Sequence, residues 1–441
     1  MFSLFASQNT KMRRSAKQWL ELAAKVYHYR RDRLSTDELG RLMTHSAALR
    51  QLLREKGGDP MRLKLAIEAL ESVLRELGGT HYPKTSLVEN VEFFLVAAIV
   101  ILGFRAFFVQ PFKIPTNSMW PSYYGMTVDN FTSASDVPGG LSRLWRTATL
   151  GAQRREVIAP RTGEVSADFF VSAGGNDLEL AYSLKPARSW FILPTTVREY
   201  TFYVDGEPVR IQVPQDLQGV DKAMRETLFG GDSGFAEHLR ALQRDRAKIE
   251  RHWLEVYPGV SRAAEVLRVP LGRSVARGER VLSFDILTGD QLLADRVSYH
   301  FVRPKVGQGF VFRTRQIDSP VMKDRSGHQL DQYYIKRLTG LPGDTLEIKD
   351  YRLYRNGEPI TGAAAFEKNA QRIDGYVGYR NSQALSKGKT MTVPPGSFMA
   401  LGDNSANSQD SRYWGYVPAT EVIGRPIFIY YPFTRRTGLA R

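Results

Sequence analysis

The sequence predicts a mainly β fold in which a helical N-terminal region and one transmembrane helix precede a β-rich domain carrying large insertions. Three observations predict it. The stretch Leu87 to Val109 is apolar on every side rather than on one helical face, which suits lipid. Beyond it the chain breaks into short β-type runs separated by Gly, Pro, Asn and Asp, and before it the apolar residues recur at helical spacing.

Residues 1–85 are rich in Lys and Arg, with clusters at Lys11 to Arg14 and Arg30 to Arg33, and read as a basic helical region. By the positive-inside rule this region belongs on the cytoplasmic side. The predicted span covers 87–109; from Val91 to Val109 a helix would run roughly 28 Å, close to the hydrocarbon thickness. Glu92 and Arg105 lie near its two ends, where a long side chain reaches the headgroups. The uncharged run Phe93 to Phe104 is short enough to suit a buried core helix as well. The apolar run starts more than eighty residues from Met1, so it is expected to be an uncleaved anchor. Residues 110–122 and 281–441 are then expected to form the β domain, with 123–280 an unassigned mixed β/α insertion in it. Within that insertion Asp205-Gly206 predicts a hairpin turn, and the spacing of Leu239, Leu242, Ile249 and Trp253 predicts a helix over 235–256.

Composition narrows the chemistry. The 441 residues, 42% of them hydrophobic, suffice for about two or three cores. With no cysteine there is no disulfide framework, thiolate catalysis or Cys-based zinc site, and no metal or cofactor motif is found. The net charge of +15 attracts anionic surfaces, but the basic residues are dispersed without any nucleic-acid-binding signature, so the partner expected from charge and span together is a lipid bilayer.

Three segments could carry catalysis. Ser118 lies in Gln110 to Pro121, which its prolines hold extended directly after the span. Lys336 ends the apolar run Tyr333-Tyr334-Ile335, which reads as a strand turned back at Gly340 to Asp344. Taken singly, Ser118 is an ordinary loop serine and Lys336 a strand-end lysine snorkelling to water. Taken together they make a dyad if the amine is neutral. Bringing a lysine from about 10.4 to near 7 or 8 requires roughly 3–5 kcal/mol of desolvation or repulsion. The third segment, Gly402 to Gly415, supplies a hydroxyl, Ser408, to orient the amine, and an Asp410/Arg412 pair to stiffen the loop.

These segments resemble those of the bacterial type I signal peptidases, membrane-anchored Ser/Lys proteases that remove signal peptides from exported proteins. Phe112 to Pro121 looks like the family's nucleophile box, Tyr334 to Asp344 like its lysine box, and Gly402 to Arg412 like its C-terminal box. Gly289 to Asp295 and Val306 to Phe312 are weaker matches. The resemblance implies a signal-peptidase-like β-rich catalytic domain with Ser118 as nucleophile, Lys336 as general base and Ser408 positioning the lysine. It further implies that Thr116 joins the Ser118 N–H in the oxyanion hole, although serine is more usual there, and that Asp410, Arg412 and Arg337 form supporting ion pairs. A signal-peptide end would add as a strand beside Ile114, Pro115 and Thr116 and the Gln332 to Ile335 edge. Ile114, Met119, Tyr334 and Ile335 would line shallow pockets accepting small-x-small side chains, such as Ala-x-Ala, before the cut.

The resemblance implies a serine endopeptidase of the bacterial inner membrane, single-pass, N-terminus cytoplasmic and catalytic domain outside, needing no cofactor and acting as a monomer on preproteins. It covers about half the chain: the insertion before residue 281 and an extension near Ala363 to Lys389 match nothing in it. The rival readings are a soluble self-cleaving Ser/Lys repressor protease, which the span argues against, and a membrane-anchored non-catalytic β domain binding lipid or cell-envelope polymer.

Overall fold

The computed structural model describes residues 8–55, 59–171, 178–189, 193–242, 248–257, 263–324 and 326–440. The chain divides between Gly103 and Phe104 into two compact units.

In the first unit, three helices bury one face each: α1 (Gln8–Arg30), α2 (Thr36–Arg54) and α3 (Pro60–Leu77). Their starts are written in the sequence. Ser35 and Glu38 form a reciprocal capping box on α2, and Asp59 accepts from the Met61 N–H just ahead of Pro60 on α3. Val26, Leu42, Leu49, Leu63, Leu70 and Leu74 close the core, leaving the basic side chains outside. The single predicted helical stretch is therefore a three-helix bundle.

Helix α4 (Ser86–Phe107) has no buried residue; Phe93, Phe94 and Ile99 are all exposed. Among the described residues it alone is long and apolar enough to cross a membrane. Its 22 residues rise about 33 Å. The helix ends two residues before the predicted Val109. Phe108 gives its carbonyl to the Arg296 N–H and Val109 pairs with Asp295, opening β1 (Val109–Lys113), while Pro111 forbids continuation.

The second unit continues with β2 (Thr127–Asn130), α5 (Gly140–Leu150) and β3 (Gln153–Ile158). Next come β4 (Gly163–Val171), β5 (Leu178–Leu180), β6 (Tyr182–Ser189), β7 (Leu193–Val204), β8 (Glu207–Pro214), α6 (Val220–Phe229), α7 (Asp232–Leu242), β9 (Glu250–Leu254) and β10 (Ala264–Val275). These strands form one antiparallel sheet in the order β6-β7-β4-β10-β9, with β5 and β8 on its flanks. Asp205 and Gly206 join β7 to β8, both at positive φ (48° and 76°), as the Asp-Gly turn predicts.

The helix expected over 235–256 is not one element. Helix α7 covers only its start, residues 243–247 lie outside the described residues, and Glu250–Leu254 is strand β9, paired with β10. Alternation along Arg251-His252-Trp253 fits an edge strand, and cross-strand bonding overrides the helical spacing. Trp253 is 70% exposed and contributes no packing face.

Strand β11 (Arg280–Leu287) pairs with β2 and β3, and the core of this small sheet is continuous with that of the insertion: Phe284 and Ile286 pack with Phe169, Phe202 and Met224. The chain then completes the main sheet with β12 (Gln291–Asp295), β13 (Gly309–Arg313) and β14 (Tyr333–Gly340), after the single-turn α8 (Ser298–Phe301) between the first two. A four-stranded lobe of β15 (Thr345–Lys349), β16 (Arg352–Arg355), β17 (Glu358–Pro359) and β18 (Thr390–Thr392), with α9 (Ala364–Gln371), precedes β19 (Ser397–Leu401), α10 (Ser411–Trp414), β20 (Val417–Pro418), β21 (Val422–Tyr431) and β22 (Gly438–Leu439). The main sheet runs β1-β12-β21-β13-β14-β19-β20.

Two edges in this sheet are open among the described residues. Strand β1 is paired only with β12, and β14 meets β19 only from Arg337 onward, leaving Tyr333 to Lys336 bonded on the β13 side alone. Extended backbone with unmet donors and acceptors accepts a further strand.

Because Phe202 is fully buried at the centre of the insertion's core, Phe202→Ala should cost about 3–5 kcal/mol, read as a lower denaturant midpoint.

Candidate active site

A cleft of about 630 Å³ lies between the β1 side and β14, and both predicted catalytic residues line it. Ser118 sits in the turn after the extended Ile114 to Thr116 segment. The Asn117 side chain staples that turn, accepting from the Gly125 N–H and donating to the Met126 carbonyl, each at 3.0 Å. The Ser118 carbonyl accepts from the Asn404 N–H at 3.1 Å, which ties the Ser118 loop to the C-terminal segment. Its N–H makes no hydrogen bond among the described residues.

Lys336 enters from β14, opposite the fully buried Phe310 on β13. Its Nζ donates to Ser118 Oγ at 2.5 Å and lies 5.6 Å from the Tyr334 ring centre. Only 4% of Lys336 is exposed. Burial penalises the ammonium and pushes the pKa down to about 8, helped by Arg412 and opposed by Asp410 and Asp403. An amine of that kind is neutral in about one molecule in ten at pH 7 and in half of them near pH 8, far more than an ordinary lysine, and in that form it can accept a proton.

The loop behind the dyad is held by buried arginines. Arg412 grips Asp410 through two bonds of 2.8 Å and binds the Ser405 and Ser408 carbonyls at 2.8 and 3.1 Å. Asp410 also accepts from the Gly402 N–H at 3.0 Å. Gly402 has to lack a side chain, since a Cβ would overlap both the Ser408 hydroxyl and the Ser118 carbonyl oxygen. Arg337 points the other way from Lys336 and pairs with Asp403 at 2.7 and 2.5 Å, donating also to Gly307 and Ser122. Burial alone would lower the Arg337 pKa; the Asp403 carboxylate more than offsets this and raises it.

The expected residues do not all fall where the motifs put them. Ile114, Pro115, Thr116, Tyr334 and Ile335 line the cleft, as do Ser118, Lys336 and Ser408. Met119 does not: it is wholly buried in the core with Tyr123, Leu292 and Ile429, beneath the nucleophile turn. Its place next to Ser118 turns it inward, because Ser118 must face the cleft. The Ser408 hydroxyl is buried and makes no hydrogen bond among the described residues, so the expected positioning of the amine by Ser408 is not seen as a direct bond. Ser118 takes that role as the amine's partner. Thr116 is half-buried and its hydroxyl makes no hydrogen bond among the described residues.

Sequence reasoning missed Asp403 and Ser122 as partners of Arg337, although Asp403 lies in the segment Gly402 to Gly415. It also missed Asp216 and Gln218, which reach the cleft from the insertion. No local signal marks those two; only the fold of the insertion brings them there.

Residues 260–431 match the family model described as signal peptidase, peptidase S26. The matched stretch contains Lys336 and Gly402 to Arg412 but not Ser118. The "Probable signal peptidase I-1" of Synechocystis sp. is 33% identical over 147 residues, 33% of this chain and 65% of its own length. Signal peptidase I of Leptolyngbya laminosa is 34% identical over 146 residues, 33% of this chain and 62% of its own. Over this stretch the chain is similar to type I signal peptidases. Its match spans just under two thirds of these signal peptidases' own length. A crystal structure of signal peptidase I from Enterococcus faecalis V583 aligns at 30% identity over 28% of this chain and 97% of that one, with a TM-score of 0.20. The insertion, by contrast, precedes most of the signal peptidase match.

Burying the amine has a cost that pH exposes. The Lys336 pKa is depressed in the fold relative to about 10.5, so between about 8 and 10.5 the folded chain binds fewer protons than the unfolded one. Stability from this group therefore rises with pH across that window, and below it the full penalty applies. Lys336→Met, which keeps the bulk without the charge, should stabilise the fold at pH 7 by on the order of 1–3 kcal/mol, with the gain in melting temperature shrinking as pH approaches 10.

Proposed function

We propose that this chain is a serine endopeptidase that removes N-terminal signal peptides from exported preproteins, cutting after a small-x-small site at the membrane surface. The observation that carries this reading is the 2.5 Å contact between Ser118 Oγ and a buried, easily deprotonated Lys336 amine. Similarity to signal peptidases over residues 260–431 and the two open strand edges beside the dyad support it.

The signal-peptide end adds as a strand between Ile114 to Thr116 and Tyr333 to Ile335, main chain to main chain. Side chains of an added strand alternate, so those one and three residues before the cut turn into the cleft, where Ile114 and Ile335 leave room for small groups only. Ser118 Oγ attacks the scissile carbonyl as its proton passes to Lys336 Nζ. Negative charge on the tetrahedral oxygen is met by the unoccupied Ser118 N–H and the Thr116 hydroxyl. The lysine ammonium then gives its proton to the departing amine, leaving an acyl-enzyme. Lys336, neutral again, deprotonates the water that releases the signal peptide. Met119 has no part in binding; Arg337, Asp410 and Arg412 keep the two halves of the site in register.

Helix α4 is the membrane span of this reading, with the basic bundle cytoplasmic and the catalytic unit outside the bacterial inner membrane. An anchored enzyme and an anchored substrate meet by searching a surface rather than a volume. The dyad is complete within one chain, which supports action as a monomer.

Detergent-solubilised protein should cleave a preprotein after its small-x-small site, and Ser118→Ala, Lys336→Ala and Lys336→Arg should each lower the rate by at least about a thousandfold. Full activity in any of the three sinks the dyad. The wild-type kcat/KM should rise with pH through about 8, because protonated Lys336 cannot accept the serine proton. Protease added to spheroplasts should digest residues beyond Val109 and spare the helical bundle; the reverse pattern overturns the orientation.

A further inference from the structure

The insertion reaches the cleft at one point, the connection between β8 and α6. There Leu217 is fully buried in the insertion's core, while its neighbours Asp216 and Gln218 are exposed and line the cleft. The connection is fixed at both ends. Leu217 gives its carbonyl to Arg198 and its N–H to Pro214, at 3.3 and 3.0 Å. Across the cleft, Gln218 accepts from Asn407 at 2.6 Å and donates back at 3.4 Å. Asn407 directly precedes Ser408, so the insertion is pinned to the loop behind the dyad.

Asp216 has no hydrogen bond or ion pair among the described residues, yet its carboxylate is close enough to Tyr334 to add to the upward shift that burial gives the phenol. Tyr334 is two positions before Lys336 on the strand edge, about 6–7 Å along it. A strand laid on that edge with its scissile carbonyl at Ser118 therefore has its second or third residue before the cut opposite Tyr334. The first and third turn into the apolar floor, so the second turns outward, toward the wall that the insertion builds.

We propose that Asp216, held in place by the Gln218–Asn407 pair, makes this protein select the middle residue of the small-x-small site by charge, favouring cationic over acidic side chains. This rests on the signal-peptide reading above and adds to it a specificity residue from a segment outside the family match. Another charged residue lining the cleft, Lys113, stands on the β1 wall at the other side of the added strand and opposes this selection if the outward side chain leans that way.

Three peptides identical except for Lys, Gln or Glu at the middle position test it. Wild-type protein should give a kcat/KM ratio of Lys to Glu of roughly three- to tenfold, falling as salt is raised. Asp216→Asn should bring the ratio near one, and Asp216→Lys should invert it. Ratios are taken within one preparation, so a partly folded variant does not distort them. An equal ratio in wild type and Asp216→Lys, with cleavage still dependent on Ser118, overturns this inference and leaves the proposed function standing. A ratio favouring Glu in the wild type assigns the selection to Lys113 and overturns it as well. If none of the peptides and no preprotein is cut, the underlying reading fails and takes the inference with it.

Discussion

The site depends on a lysine amine kept out of water beside a serine hydroxyl. Holding Lys336 96% buried costs the fold on the order of 3 kcal/mol at neutral pH, and the same desolvation is what turns an inert ammonium into a base. Two nearby carboxylates, Asp410 and Asp403, would undo this by stabilising the charge. They offset it only in part: each is paired with an arginine, Asp410 with Arg412, whose charge pushes the amine the other way, and Asp403 with Arg337. The ion pairs behind the dyad thus serve the electrostatics of the amine as well as the shape of the loop.

Arginine suits both pairs for a physical reason. A guanidinium stays charged when buried and donates in several directions, so one Arg412 side chain can hold a carboxylate and two backbone carbonyls at once. A lysine could not make that set of bonds and would itself shift its pKa. Removing one member of either pair would strand a buried charge, which costs far more than the pair contributes when intact. The strictness of this loop extends to Gly402, where the Ser118 carbonyl and Ser408 leave no room for a methyl group.

The large insertion shares a continuous core with the small sheet that feeds β12, so it is built into the catalytic unit rather than hung from it. Its contact with the cleft is narrow but rigid, since a fully buried leucine fixes the two residues that face outward. In the binding mode proposed above, such a wall would add side-chain selection to recognition carried otherwise by sequence-tolerant backbone bonds.

Local rules in the sequence determined much of this protein. The Asp205-Gly206 hairpin and the all-round apolar run of α4 act over a few residues and appear as read, and the caps at Ser35 and Asp59 are local signals of the same kind that the reading passed over. The three motif segments likewise marked Ser118 and Lys336, residues 218 positions apart in the chain that the fold brings to 2.5 Å. What only the tertiary structure decided were relations between distant segments. Spacing near Trp253 suggested a helix because nothing local announces the β10 edge it pairs with. Met119 looked like a pocket residue until the direction of its neighbour Ser118 turned it into the core, and the Ser408 hydroxyl proved to be buried without a hydrogen bond among the described residues. The Arg337–Asp403 pair and the reach of Asp216 into the cleft depend on packing across more than sixty and one hundred residues, respectively. The lysine was legible as a candidate; its depth of burial, which lowers its pKa, was not.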